Sequence, residues 1–133
     1  MYKRQYLNGQ MLDGTADDGG WKGWDNSPAW AAPVTNALSL SAPNSVLIGG
    51  NADLVHEYSV AGGAYSFIAW QYIPSSTELD RGTTYFILLN DYADGGPYNW
   101  STQLAFNLDT GLLEDEFTGD VEAMAIVLSL IHI

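Results

Sequence analysis

Short runs of alternating apolar and polar residues, divided by turn residues, dominate the chain. Glycine and proline recur throughout, and few stretches carry the period of about 3.6 residues that marks an amphipathic helix. The pattern therefore predicts a series of short β-strands. These strands are predicted at 34–40, 45–48, 54–59, 64–73, 83–90, 100–108 and 112–117. Residues 8–33 are predicted to be mostly ordered loop, and 120–130 to be a weak helix or a final strand.

The alternation within the strongest strands predicts how they are covered. In 64–73 and in 83–90 both faces are largely apolar, which indicates strands covered on both sides, or facing a core and a ligand surface. The strand 100–108 has one core face and one small, polar face. Its core face comprises Trp100, Leu104, Phe106 and Leu108. Spacing of this sort predicts an all-β fold, an antiparallel two-sheet β-sandwich of jelly-roll type.

Composition and charge narrow the classes of function. The 133 residues suffice for one domain, and 16 acidic against 4 basic residues give a net charge of −12. Because such a surface repels phosphate groups, nucleic-acid binding is excluded and anionic membranes are disfavoured. The candidate ligands and partners that remain are calcium, neutral polysaccharides and basic partners. The chain has no cysteine and no run of about 18 apolar residues, so disulfides and membrane insertion are not expected.

The two ends differ from the rest of the chain. Residues 1–5 (MYKRQ) and 128–133 (LSLIHI) resemble translated adapter sequence at the ends of metagenomic reading frames. We therefore expect a single, partial domain over 6–127 with non-native ends; the alternative is a genuine basic start and a genuine last strand. No apolar segment follows the basic start, so it is not a signal peptide, and a signal for export would lie outside this sequence.

Five segments together resemble domains of bacterial extracellular proteins. They are 20–26 (GWKGWDN), 44–48 (NSVLI), 53–59 (DLVHEYS), 69–74 (AWQYIP) and 85–100 (YFILLNDYADGGPYNW). Those domains are similar to the concanavalin A-like lectin/glucanase jelly rolls and to carbohydrate-binding modules. The resemblance covers roughly residues 20 to 127. It implies a jelly roll in an extracellular or cell-surface protein, incomplete here because such domains continue past the point where this chain ends.

The stretch 90–100 combines aromatic and amide side chains, as a binding loop on a rigid scaffold does. Sugar rings stack on flat aromatic side chains, and sugar hydroxyls require partners such as Asn, Asp and Gln. The expected ligand-binding residues are Tyr92, Tyr98, Trp100, Asn90, Asn99 and Trp24. Alternatively, Trp70 and Trp100 are core residues of their strands, and Trp21 and Trp24 pack under the opening loop.

Two acidic, glycine-containing turns are candidate calcium sites. Oxygen-rich turns suit the flexible coordination of calcium. The candidate ligands are Asp17 and Asp18 in one turn and Asp91 and Asp94 in the other. Jelly rolls of the resembled superfamily often hold a structural Ca²⁺, whereas the alternative is that these are solvated turn acids.

Catalysis is not expected. Glu114 and Glu116 share a face of one predicted strand, as the carboxylates of retaining glucanases of this fold do. However, no third acid follows at the expected offset, so we interpret both as solvated. His56 lies on a predicted strand without recognisable metal-binding partners and is interpreted as structural.

The sequence thus predicts a non-catalytic, carbohydrate-binding (lectin-like) module of a secreted bacterial protein, with a polysaccharide or glycan as partner. The first alternative is a structural or adhesion domain of a cell-surface protein without a sugar site. The second is a fragment of a glycoside hydrolase.

Overall fold

The computed structural model describes residues 6–40, 42–59, 62–64, 66–72, 82–116 and 120–123, the last four by their backbone only. These residues form antiparallel strands and three single-turn 3-10 helices, with no α-helix among them. The strands are β1 (Met11–Leu12), β2 (Trp21–Gly23), β3 (Ala32–Thr35), β4 (Ser45–Val46), β5 (Leu54–His56), β6 (Thr83–Tyr92), β7 (Tyr98–Asn107), β8 (Leu112–Asp115) and β9 (Asp120–Ala123). The all-β prediction is confirmed.

The chain divides into two compact units. Unit 1 comprises the residues up to Trp70 together with Ala93–Gly96, and unit 2 comprises Gln71–Tyr92 with the residues from Pro97 onward. The single domain expected over 6–127 stays a prediction, and the expected non-native ends, 1–5 and 128–133, lie outside the described residues.

Unit 1 contains two small sheets, of strand order β1-β3-β4 and β2-β5. Its buried apolar side chains are Leu12, Ala32 and Val34, all contributed by β1 and β3. β2 has no room for a side chain at Gly23, where a Cβ would overlap the backbone oxygen of Ser27 and lie 2.9 Å from the Ala31 nitrogen. Glycine thus allows β2 to pass directly beside the following 3-10 turns.

Unit 2 is a four-stranded antiparallel meander of order β6-β7-β8-β9. The turn between β7 and β8 is held by the Asn107 side chain, which accepts hydrogen bonds from the backbone N–H groups of Asp109 and Thr110. Gly111 completes the turn at φ 71°, a conformation that glycine adopts without steric cost. Residues 109–111 thus form the turn of a β-hairpin that joins the paired strands β7 and β8.

The structure differs from the sequence prediction at two places and decides between two alternatives at a third. Residues 8–33 are not mostly loop, because they contain β1, β2, the 3-10 helices and the start of β3. The strand predicted at 64–73 is absent from its described residues, 64 and 66–72. Of the alternatives for 120–130, the described residues 120–123 form a strand.

The missing strand has a physical explanation. Residues 66–72 have the composition of a strand, but the described residues contain no partner strand for them, and β-propensity without pairing does not hold a ladder. Their apolar side chains are correspondingly accessible: Ile68 is 72 % and Tyr72 64 % exposed.

Candidate functional site

The end of the β6–β7 hairpin contains two irregularities that decide which side chains lie together. Leu88 pairs with Thr102 and Leu89 with Trp100, so Ser101 is an extra residue on β7. Asp91 then pairs with Asn99, so Asn90 is an extra residue on β6. Each extra residue is a β-bulge, and a bulge changes which residues share a face of the sheet.

These bulges place three aromatic residues on one face. Tyr98 and Trp100 are two positions apart on β7 and therefore point to the same side, and Tyr92 is the cross-strand partner of Tyr98. The rings of Tyr92 and Tyr98 have centroids 5.9 Å apart and planes inclined at 32°. We call Tyr92, Tyr98 and Trp100 the aromatic face.

The bulge at Ser101 corrects the predicted face of Trp100. Simple alternation put Trp100 with Leu104 and Phe106 on a core face. In the structure it lies opposite Leu89 and therefore shares a face with Gln103 and Ala105. Trp100 is 41 % exposed, so it is not the buried core residue of the alternative interpretation.

The polar residues that were predicted to bind a ligand lie beside this face rather than on it. Asp91 and Asn99 form a cross-strand pair, and alternation directs both away from the three rings. Asn90 is the bulge residue next to this pair, and all three side chains are exposed. The hairpin end therefore brings five of the six predicted ligand-binding residues together, with the amides at the margin.

Trp24, the sixth predicted ligand-binding residue, belongs to unit 1 and not to this hairpin. It is half-buried at the start of a 3-10 turn, where its backbone N–H donates to the carbonyl of Asp53.

Two carboxylates flank the same side of the sheet and were not predicted as part of a binding site. Glu114 is the β8 partner of Ala105 and therefore shares its face. Glu116 accepts a hydrogen bond from the side-chain amide of Gln103. Both are exposed. The sequence shows that Glu114 and Glu116 lie on the same face of their strand, but it does not show which neighbouring strand pairs with it.

Asp18, a predicted calcium ligand, is fully buried and hydrogen-bonded within the protein. Its Oδ2 accepts the backbone N–H groups of Asp13, Gly14 and Thr15, and its Oδ1 accepts the Gln10 amide. Burial raises the pKa of this carboxyl, but the hydrogen bonds from Gln10, Asp13 and Thr15 together outweigh burial and lower the pKa to about 2. The carboxylate organises its own loop.

The other three predicted calcium ligands are dispersed. Asp94 binds Lys22 through both oxygens, at 2.7 and 2.8 Å. Asp17 is exposed beside Asp18, and Asp91 lies in β6 within unit 2. The described residues contain no group of three or more His, Asp or Glu side chains placed to hold a metal ion.

Lys22 lies between two acids of unit 1. It pairs with Glu57 at 2.5 Å as well as with Asp94. Burial lowers the pKa of Lys22, but its hydrogen bonds and charge interactions with the two carboxylates outweigh burial and raise the pKa above its ordinary value. The nearby Asp53 has a raised pKa, because it is partly buried and faces the charge of Asp25.

His56 packs among aromatic rings. Its ring stacks on Tyr58 with centroids 4.2 Å apart and meets Trp21 edge-on at 4.8 Å. Its Nε2 lies 3.1 Å from the carbonyl oxygen of Gly19. These contacts are those of a residue that packs β5 against β2.

Comparison with known proteins yields no match to a family model, a curated protein or a solved structure. In the part of the chain that is described, no helix is long and apolar enough to cross a membrane. The geometry of the β6–β7 hairpin is therefore the observation from which a function can be inferred.

Proposed function

We propose that this chain is a non-catalytic carbohydrate-binding module of an exported protein, and that its ligand is a polysaccharide or glycan. The observation that carries the proposal is the aromatic face. Tyr92, Tyr98 and Trp100 lie on one side of a two-stranded ribbon, and Trp100 is 41 % exposed although it is a large apolar residue.

Sugar recognition has the same two requirements that this hairpin end meets. The C–H faces of a sugar ring pack on aromatic faces, and the hydroxyls exchange water for amide and carboxylate partners. The three rings supply the first, and the Gln103 amide on the same side of the sheet supplies the second, together with the exposed side chain of Asn90 at the adjoining bulge. A β-hairpin of two ten-residue strands holds these groups on a rigid element.

The proposal also covers the arrangement of the sheets. The three antiparallel sheets belong, in this view, to an incomplete two-sheet sandwich of jelly-roll type. A structural Ca²⁺ remains part of the hypothesis, although the hydrogen bonds of Asp18 and the ion pair of Asp94 favour roles for these two carboxylates within the protein.

The test measures the binding of soluble polysaccharides by affinity electrophoresis and by tryptophan emission. We expect Tyr98→Ala and Trp100→Ala each to weaken binding of the glycan about 10-fold or more, as loss of one stacking ring does. Trp30→Ala is the matched control, because Trp30 is 44 % exposed and lies in unit 1. It should bind like the unaltered protein.

Two results would favour the alternatives. If no glycan shifts the mobility or emission of the folded protein, the structural or adhesion domain is supported. If a bound polysaccharide is cleaved to shorter products, the glycoside hydrolase is supported.

A further inference from the structure

The side of the sheet that carries the aromatic face also carries negative charge. Proceeding along β7 from Trp100, the next residues on that side are Gln103 and Ala105. The Gln103 amide donates to the Glu116 carboxylate, and Ala105 is paired with Glu114. Two exposed carboxylates thus follow the rings on the same side of the sheet, whereas Ala105 itself is buried.

No cation balances these carboxylates within the described part of unit 2. Glu114 and Glu116 are both exposed, and the described residues of this unit include neither lysine nor arginine. Lys22, the one lysine or arginine among the described residues, is in unit 1 and pairs with Glu57 and Asp94. A ligand on this side of the sheet therefore meets flat aromatic rings and the exposed carboxylates of Glu114 and Glu116 together.

We propose that the glycan of this site is a polymer of amino sugars with free, protonated amino groups. This inference depends on the proposed function and specifies its ligand. The sugar rings stack on Tyr92, Tyr98 and Trp100, while ammonium groups further along the chain pair with Glu116 and Glu114. Uronate and sulfated glycans are repelled by the same carboxylates, and N-acetylated sugars retain the stacking but lose the charge pairing.

The expected selectivity is moderate, because the carboxylates are exposed. An exposed ion pair changes an equilibrium by about two- to fivefold, so two pairs give about a 4- to 25-fold preference for the free amine over its N-acetylated counterpart. The preference should diminish as salt is added, because exposed charges are screened.

The experiment compares the full chain with oligomers of glucosamine and of N-acetylglucosamine that have the same length and linkage, at mildly acidic pH and low salt. Calorimetric titration of Glu114→Gln and Glu116→Gln should show a two- to fivefold loss of affinity for the glucosamine oligomer and no change for the N-acetylated one. Asp115→Asn is the control, with its fold checked by circular dichroism because Asp115 is half-buried. It removes the same charge one residue away, but alternation directs Asp115 to the opposite face.

Each outcome is decisive. Equal binding of both oligomers, or equal losses in Glu114→Gln and Asp115→Asn, overturns the inference but leaves the carbohydrate-binding proposal intact. Absence of binding to these oligomers and to every neutral polysaccharide overturns both. Binding of a lysine homopolymer that is weakened in Glu114→Gln but unchanged in Trp100→Ala would assign the surface to basic proteins and likewise overturn the inference.

Discussion

Asp18 is the residue on which the opening loop of unit 1 depends. It has no exposed surface, yet its carboxylate receives hydrogen bonds from three successive backbone N–H groups, from the Thr15 hydroxyl and from the Gln10 amide. A buried charge is tolerated only when it is satisfied in this way, and the removal of one partner leaves the others without a counterpart.

We expect Asp18→Asn to lower the free energy of unfolding by about 2–3 kcal/mol. The substitution replaces one of the two accepting oxygens by an NH2 group, which cannot accept a hydrogen bond from the N–H groups that face it. Urea denaturation followed by tryptophan emission measures this loss. Asp17→Asn is the control: Asp17 is adjacent and exposed, so its change should stay within about 0.5 kcal/mol. Equal losses in the two variants would contradict the role of the Asp18 hydrogen bonds.

The same carboxyl makes stability depend on pH. Its pKa falls from an ordinary value of 3.8 to about 2 on folding, so the folded state favours the ionised form. This contribution, about 2 kcal/mol, is fully present above pH 3.8 and is lost as the pH falls from there through about 2. Acid titration of stability should therefore show a loss in this window that is missing in Asp18→Asn. An identical acid profile in both proteins would contradict it.

At the scale of elements, Gly23 determines how β2 meets the 3-10 turns that follow it. A Cβ at this position would overlap the Ser27 oxygen and approach Trp30 and Ala31, all through backbone atoms that cannot rotate away. We expect Gly23→Ala to destabilise the protein by about 2 kcal/mol or more, an effect of overpacking. Thermal unfolding followed by circular dichroism measures it.

The control for Gly23 is Gly50→Ala. A Cβ at Gly50 meets nothing within 4 Å, and the residue does not have a positive φ. This substitution should be neutral or slightly stabilising, because alanine restricts the unfolded chain. A similar loss in both variants would show that glycine content, rather than close approach at Gly23, governs the effect.

Elements with strong local signals were predictable from the sequence. Alternation over 83–90 and 100–108, with a turn before 112–117, correctly predicted β6, β7 and β8, because cross-strand neighbours joined by short connections pair readily. The prediction of a strand at 64–73 was wrong for the opposite reason. Its pattern is as strong, but pairing depends on a distant partner that composition does not reveal.

The candidate site was predictable in composition but not in geometry. The stretch 90–100 indicated aromatic and amide side chains, whereas the bulges at Asn90 and Ser101 determine which of them share a face. A bulge is a property of two paired strands, so a single strand's alternation placed Trp100 on the wrong side. The association of Glu114 and Glu116 with the rings was missed for the same reason.

At the scale of the whole molecule, two electrostatic contributions to stability have opposite signs at pH 7. The net charge of −12 destabilises the folded state, whereas the ion pairs of Lys22 stabilise it. Each pair contributes at most about 1 kcal/mol and is weakened by salt. Self-repulsion among 16 acids is also weakened by salt, and this favours the compact state. With four acidic residues for each basic one, we expect the relief of repulsion to dominate.

Added sodium chloride should therefore raise the free energy of unfolding by about 1 kcal/mol at pH 7, over a range in which the Debye length falls to about 10 Å or less. Urea denaturation at several salt concentrations measures this change. The control is the same series near the isoelectric point of about 4.1, where the net charge vanishes and so should the stabilisation. A loss of stability with salt at pH 7 would mean that local pairing, such as that of Lys22 with Glu57 and Asp94, outweighs the charge of the whole chain.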